Sequence, residues 1–296
     1  MFLGDYRIEI IPDAEFRLDG GAMFGIVPRV VWERVSPPDE LNRVRLATNC
    51  LFVETARERI LIETGLGEKW PEKEARKYGI ARTQSFAETL FERTGLRPSD
   101  ITIVVNTHLH FDHAGGNTVD DFGFSIADFG LESRKPKTED RKPVPQFPNA
   151  RYFVSKSEYE RAANPTERDR ASYLEENWQS LAATGQLELK PDVYEVVEGL
   201  ALENVRGHSD AMQTVCLKRG GETLFCFADL IPTRAHLALP WIMSYDLYPL
   251  ETLAFKKQIL PRAARENWLC LFYHDAEAPL CRLVEEDGAI RAVASS

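Results

Sequence analysis

Short apolar runs separated by turn residues recur along this chain of 296 residues, and they predict strands alternating with helices. In the first third, alternation over 7–11 predicts a strand, and 48–54 with 59–63 predicts a hairpin. The apolar run 101–106 predicts a buried strand. In the second half, similar runs predict strands at 151–154, 187–189, 194–197, 202–205, 214–218, 223–228 and 268–273.

Helical spacing of apolar residues separates these strands. Residues 85–94 predict a helix in which Ser85 and Glu88 form a capping box and Gly95 ends the helix. Further helices are predicted at 157–163, roughly 169–184 and 250–260, whereas 18–28 predicts a glycine-rich apolar loop. Both halves therefore run strands first and helix later, which suits two sheets packed face to face with helices outside.

The length allows one large domain, and we predict a single domain over 1–296 with a polar, proline-rich insertion at 118–149. Basic residues at 134–137 and 141–142 raise the alternative of a nucleic-acid-binding arm. Acidic residues interleave with them and no aromatic stacking partners recur, which favours a solvated surface loop.

Composition narrows the functional classes. The chain is 44% hydrophobic and 28% charged, as expected of a folded protein, and its formal net charge of −10 argues against nucleic acid as the main partner. No apolar stretch approaches a membrane span, and the first residues lack the pattern of a secretory signal. Five widely spaced cysteines form no C-x-x-C pair, so we predict a protein of the reducing cytoplasm.

The densest chemical signal is the segment from His108 to His113, which contains His108, His110, Asp112 and His113. It follows the predicted strand 101–106 and precedes a glycine-containing turn. Crowded imidazoles and a carboxylate go unpaired unless a cation joins them. The segment therefore predicts a metal site.

Three more potential ligands follow predicted strands: His208, Asp229 and His274. Any one of these histidines alone is more often a hydrogen-bonded structural residue than a ligand. Strand ends can aim several side chains at one point, so the combination with the dense motif favours metal binding. Nitrogen and oxygen donors without thiolate suit Zn²⁺, and also Mn²⁺, Fe²⁺ or Co²⁺.

The pattern His-x-His-x-Asp-His resembles the metallo-β-lactamase superfamily, and residues 107–117 are similar to its lactonase-like members. The resemblance extends through Glu63-Thr-Gly65, His208, Asp229 and His274 in the expected order. It implies a four-layer αββα sandwich with two divalent metal ions, most simply Zn²⁺. By position, His108, His110 and His208 would hold one metal, Asp112, His113 and His274 the other, and Asp229 would bridge both.

The reaction implied is hydrolysis by a hydroxide that bridges the two metals, with the leaving oxygen either met by the other metal or protonated by Asp112. A lactone or a small carboxylic ester is the leading substrate class, and a small molecule is the expected partner. A phosphotriesterase or a thioester hydrolase of the same fold is an alternative, and an iron-dependent redox enzyme is an alternative of another class. The apolar N-terminal loop makes a homodimer reasonable.

Two departures from the family pattern stand out. Family members usually carry aspartate where this chain has Glu63, and acyl-homoserine lactonases carry a tyrosine where it has Pro232. We predict that His236 replaces that tyrosine as a donor in the pocket, with a buried core histidine as the alternative. The side chains expected to line the pocket, or else to be core, are Phe24, Trp241, Met243 and Tyr245.

Overall fold

The computed structural model describes residues 1–121 and 142–294. The strands are β1 Phe2–Leu3, β2 Tyr6–Asp19, β3 Arg43–Glu54, β4 Arg59–Ile62, β5 Ile103–Val105, β6 Thr118–Asp121, β7 Lys142–Pro145, β8 Arg151–Ser155, β9 Leu187–Lys190, β10 Val193–Val197, β11 Leu200–Asn204, β12 Gln213–Arg219, β13 Glu222–Cys226, β14 Leu269–Leu271, β15 Leu280–Glu286 and β16 Ala289–Ala294. The helices are α1 Gly20–Phe24, α2 Arg29–Trp32, α3 Glu72–Lys77, α4 Phe86–Thr94, α5 Phe111–Ala114, α6 Lys156–Ala163, α7 Gln179–Thr184 and α8 Pro249–Arg265.

The strands form two large sheets, one from each half of the chain. The first has the order β1-β2-β3-β4-β5-β8-β9, and the second runs β10 to β16 in chain order. Both are mixed: β4, β5, β8 and β9 pair in parallel, as do β13 and β14, whereas their other neighbours pair antiparallel. The parallel strands bring their carboxyl ends to one edge of each sheet.

Alternation along the strands places the core between the sheets. Ile60, Ile62, Ile103 and Val105 face inward and pack with residues of the second sheet such as Leu224. Strands covered on both faces have continuous apolar runs, which explains why β5, Ile103–Val105, is apolar throughout.

Helices cover the outer faces. Residues of α4, α6 and α7 pack on the outer face of the first sheet, and Leu260 and Ala263 of α8 pack on the outer face of the second. The result is the four-layer αββα sandwich that the sequence predicts. The predicted hairpin forms from β3 and β4, and α4 has the predicted Ser85–Glu88 capping box and a left-handed Gly95.

The structure differs from the predictions in three segments. The predicted loop 18–28 contains the end of β2 and helix α1, whose Ala22 amide donates to the capping carboxylate of Asp19 at 2.8 Å. The predicted helix 169–184 is two single 3₁₀ turns followed by the short α7, because His110 and Tyr173 form an isolated β-bridge there. Within 118–149, β6 and β7 pair antiparallel, while 122–141, including the basic residues at 134–137, lies outside the described residues.

In the described part of the chain, no helix combines the length and the apolar character needed to cross a membrane.

Backbone close approach fixes the loop after β4 against the dense histidine motif. Gly67 has a φ of 65°, and a Cβ atom there would lie 2.1 Å from the carbonyl oxygen of Gly115. Lys69 reinforces the contact by donating to the carbonyls of Gly115 and Thr118 at 2.7 and 2.8 Å. The motif therefore rests on a backbone layer that tolerates no side chain at residue 67.

We expect Gly67→Ala to lower the free energy of unfolding by about 3 kcal/mol, because a left-handed residue and a steric overlap add together. Gly95→Ala is the matched control: its φ of 79° is similar, but nothing lies within 4 Å of the added Cβ. That control should lose only about 1 kcal/mol. Urea denaturation of both variants measures the difference, and equal losses would show that the close approach is not tight.

Candidate metal centre and its pocket

The predicted ligands come from both halves of the chain and meet at the sheet edges. The dense motif follows β5 and continues into α5, while His208 lies in the loop between β11 and β12. Asp229 lies in a turn after β13, and His274 follows β14. The amide of Gln213 donates to the carbonyl of Thr107 at 3.0 Å and ties the two loops together.

His108, His110 and His208 form one group whose potential ligand atoms all lie within 4.8 Å of one another. The Nε2 atom of His208 is 3.2 Å from the Nδ1 atom of His110. All three side chains are buried. The arrangement matches the first group predicted from the sequence.

Asp112, His113 and His274 form a second group under the same 4.8 Å limit. The Nε2 atom of His274 lies 3.5 Å from an oxygen of Asp112. This is the second predicted group.

Asp229 lies between the two groups. Its Oδ1 atom is 3.0 Å from Nε2 of His113 and 3.2 Å from Nε2 of His274, both in the second group. Its Oδ2 atom is 3.5 Å from Nε2 of His208 in the first group. One carboxylate thus presents one oxygen to each group.

Groups behind the histidines select which ring nitrogen faces the centre. His208 donates from Nδ1 to Asp246 at 3.1 Å, and His274 donates from Nδ1 to the carbonyl of Ala47 at 2.8 Å. The Nδ1 atom of His113 is 3.2 Å from Glu63. Each ring therefore keeps the lone pair of Nε2 for the centre, the tautomer that such outer partners impose on metal-binding histidines.

Glu63 occupies the place where relatives usually have aspartate, and its longer side chain still reaches. It is 2% exposed with a φ of 64° and accepts hydrogen bonds from the Thr107 hydroxyl and, at 3.2 Å, from the Thr107 amide. The Thr107 hydroxyl in turn lies 3.0 Å from Nδ1 of His108. One carboxylate thus orients two histidines.

Sequence reasoning missed two carboxylates at this centre. Asp246 lies in a loop far along the chain from His208, and its spacing carries no signal. Glu158 opens α6 and accepts a hydrogen bond from the Leu109 amide inside the dense motif at 2.8 Å. Burial raises the pKa of Glu158 to about 8. A helical glutamate ordinarily reads as a surface residue, so only the fold reveals this contact.

The centre concentrates charge in a dry environment. Burial, together with the neighbouring imidazoles, holds the pKa values of His108 and His110 well below the ordinary range. Burial also opposes a positive charge on His113, but Asp229 and Glu63 raise the pKa of His113 well above the ordinary range. Asp229 and Glu63 therefore attract positive charge to the position of His113.

The donor set fits divalent cations. Buried ring nitrogens without a hydrogen-bond partner among the described residues include Nε2 of His108 and Nε2 of His110. Leaving such atoms unpaired costs free energy that a cation would recover. Imidazole and carboxylate ligands suit Zn²⁺ and its first-row neighbours.

A pocket of about 400 Å³ opens onto this centre. The ligand residues His110, Asp112, His208, Asp229 and His274 form its floor. Its walls are mainly apolar and include Leu18, Met23, Leu46, Phe111, Met243 and Leu247, with Arg168 and Tyr245 also lining it. A few polar groups at the base of an apolar cleft are the usual form of a small-molecule site.

Two of the four predicted pocket residues line this space. Met243 is 4% exposed and Tyr245 is 39% exposed, and both are in the wall. Phe24 and Trp241 lie behind it: Phe24 stacks on Trp32 and meets Trp241 edge to face. These two residues support the wall and do not form its surface.

The prediction that His236 donates into the pocket needs correction. His236 is 1% exposed and is not among the lining residues. Its Nε2 donates to the Met23 carbonyl at 2.9 Å, its Nδ1 lies 2.8 Å from the Thr233 hydroxyl, and its ring stacks on Phe24. Both nitrogens are thus satisfied inside the protein, which favours the core alternative.

Comparison with known proteins agrees with the fold and the centre. Residues 43–149 match the model of the metallo-β-lactamase superfamily. An N-acyl homoserine lactonase from Bacillus cereus is 26% identical over 186 residues, which cover 60% of this chain and 60% of that relative. A structure from Staphylococcus aureus described as a probable metal-dependent hydrolase has a TM-score of 0.85 at 26% identity, covering 100% of this chain and 99% of that one.

The structure of AidC, a dizinc quorum-quenching lactonase in complex with a product, has a TM-score of 0.76 at 20% identity, covering 100% of this chain and 96% of that chain. At that identity the likeness shows the fold alone. Together with the motif, these findings make the chain similar to proteins of the metallo-β-lactamase superfamily, with the match to the family model at residues 43–149.

The core position of His236 predicts a pH effect on stability. Burial lowers the pKa of His236 to about 4. An ordinary histidine titrates near 6.5, so the unfolded chain binds more protons between these values and stability falls as the pH drops from 6.5 to 4. The loss due to this residue is about 3 kcal/mol.

His236→Gln should remove this component, because glutamine can donate to the Met23 carbonyl and does not titrate. Urea denaturation at pH 6.5 and at pH 4 should show a shallower loss for the variant than for the wild type. Identical losses would mean that His236 takes up its proton without cost.

Proposed function

We propose that this protein is a dinuclear metal-dependent hydrolase that opens lactones or cleaves small carboxylic esters. His108, His110 and His208 would hold one divalent cation, Asp112, His113 and His274 would hold a second, and Asp229 would contribute an oxygen to each. Zn²⁺ is the simplest occupant, with Mn²⁺, Fe²⁺ and Co²⁺ as alternatives.

The position of Asp229 carries this proposal. A structural histidine cluster would not need one carboxylate to present separate oxygens to two groups of ligands, at 3.0 Å from His113 and 3.5 Å from His208. Structural zinc sites are also closed and rich in thiolate, whereas this centre is open to a pocket and contains none.

Bound cations would lower the pKa of a water molecule toward 7 and polarise the oxygen of a substrate carbonyl. The chain itself orients the ligands: Glu63, Asp246 and the Ala47 carbonyl hold the rings of three histidines in place. Asp112 faces the pocket and would take up the proton that the attacking water releases and pass it to the leaving oxygen. The apolar walls exclude bulk water, which strengthens these electrostatic interactions.

The substrate class follows from the pocket and from the relatives. An apolar wall above polar groups suits an acyl chain attached to a hydrolysable carbonyl. The curated relatives named N-acyl homoserine lactonases favour a lactone. Pro232 stands where a tyrosine is expected in such enzymes, so this protein would hold its substrate without that hydroxyl. The carbonyl of Pro232 accepts a hydrogen bond from the His274 amide at 2.9 Å.

Metal-reconstituted protein should release acid from γ- and δ-lactones, including acyl-homoserine lactones of several chain lengths, and chelation should abolish the activity. His110→Ala should lose activity by at least about 100-fold and retain less metal, because one imidazole of the first group is gone. Lys257→Met, at an exposed position of α8, is the control. Full activity of His110→Ala would refute the metal assignment, and metal-loaded protein inactive on all lactones would point to thioesters or phosphate esters.

Asp246→Asn should weaken metal binding about 10- to 100-fold, because asparagine does not fix the His208 tautomer as a carboxylate does. Competition with a chromophoric chelator measures the affinity directly. Asp287→Asn, in an exposed turn with a φ of 51°, is the matched control. Equal affinities for both variants would show that Asp246 does not support the ligand.

A further inference from the structure

Residues 238–248 form one wall of the pocket although they contain no helix or strand, and we call them the wall segment. Met243, Ser244, Tyr245 and Leu247 of this segment line the cavity. An irregular segment that shapes a binding site needs anchors outside itself, because its own backbone hydrogen bonds are few.

Lys256 provides the first anchor. Its ammonium donates to three carbonyls of the wall segment: Ala238 at 2.7 Å, Trp241 at 2.9 Å and Leu239 at 3.3 Å. The residue is 0% exposed on α8. Three carbonyl oxygens match the three donors of an ammonium, so this one side chain can bind all three carbonyls of the turn.

This lysine is costly to bury. Burial lowers the pKa of Lys256 to about 7, and the charge of Asp246 opposes that change only in part. A leucine or methionine would fill the same space between helix and sheet without desolvating a charge. The three carbonyl contacts are what the lysine provides and an apolar residue would not.

Thr252 provides the second anchor, one helical turn earlier. Its hydroxyl donates to Asp246 at 2.7 Å, and the other oxygen of Asp246 accepts from His208 at 3.1 Å. Residues spaced by four lie on the same helix face. One face of α8 therefore supports both the pocket wall and a predicted metal ligand.

We propose that Lys256 is a positioning residue that holds the pocket wall and thereby sets the acyl-chain preference of the enzyme. Thr252 acts on the other part of the site, by orienting His208 through Asp246. Lys256 holds residues 238–241 of the wall segment and bears on substrate selection, whereas Thr252 holds Asp246 of the same segment and through it bears on metal retention. This inference rests on the proposed hydrolase function of the same pocket.

The test compares Lys256→Met, which keeps the length of the side chain but removes the donors, with Lys257→Met, which changes the exposed neighbouring lysine. For Lys256→Met we expect KM for a long-chain acyl lactone to rise about tenfold, a typical worth of lost apolar pocket contacts. The kcat for an unsubstituted γ-lactone and the metal content should stay within twofold of the wild type. Lys257→Met should change none of these quantities.

Hydrogen exchange of peptides covering 238–245 gives a readout that does not depend on activity. Exchange there should accelerate in Lys256→Met and stay unchanged in Thr252→Val, whereas Thr252→Val should lower the metal content. If the wild type hydrolyses neither lactones nor small carboxylic esters, the proposed function fails, but exchange still tests the anchoring by Lys256.

An unchanged chain-length profile together with unchanged exchange in Lys256→Met would overturn the inference. A parallel fall of kcat and metal content in that variant would also overturn it, because Lys256 would then support the centre as a whole. Should Lys256→Met fail to fold, Lys256→Gln keeps part of the donor capacity and should show an intermediate effect. Failure of both to fold would assign Lys256 to general stability and reject the inference.

Discussion

The arrangement of the site depends on one buried carboxylate, Asp229, surrounded by imidazoles of both groups. Burial alone would raise the pKa of Asp229, but His113, His274 and His208 hold it well below the ordinary range. A carboxylate in that state must be paired on each side or its burial would destabilise the protein. The two sheets therefore have to bring their loops to the same point, and the loop geometry of both halves follows from that requirement.

The loops meet this requirement through backbone contacts that leave little freedom. The amide of Thr64 donates to the carbonyl of His113 at 2.8 Å, and the amide of Ala47 donates to the carbonyl of His274 at 3.1 Å. Each of these contacts joins a ligand segment to a strand of the first sheet or to the loop that follows one. The loops that carry the predicted ligands are consequently tied by backbone hydrogen bonds to the first sheet, as a preorganised centre needs.

Strand periodicity is a local pattern and was enough to predict two sheets with helices outside, whereas the grouping of the predicted ligands followed from the resemblance to the metallo-β-lactamase superfamily. The sequence was not sufficient for contacts that depend on how distant segments pack. Asp246 reaches His208 from 38 residues away, and His236 turns inward because Met23 offers a carbonyl to its ring. Glu63 lies between these two cases. The sequence shows that it occupies the position of an aspartate in the family pattern, but only the fold shows that its longer side chain still reaches His113.

The same helix face that carries Thr252 and Lys256 suggests how such a site can change specificity without losing its chemistry. The ligand groups are fixed by β-strand ends, and one of them is supported by a single side chain of α8 through Asp246. The pocket wall is supported by Lys256, one turn further along α8, which binds backbone carbonyls. These contacts do not depend on which side chains stand at residues 243, 245 and 247. Substitutions in the wall can therefore alter the shape of the pocket while the anchor keeps its backbone in place and the metal ligands remain undisturbed.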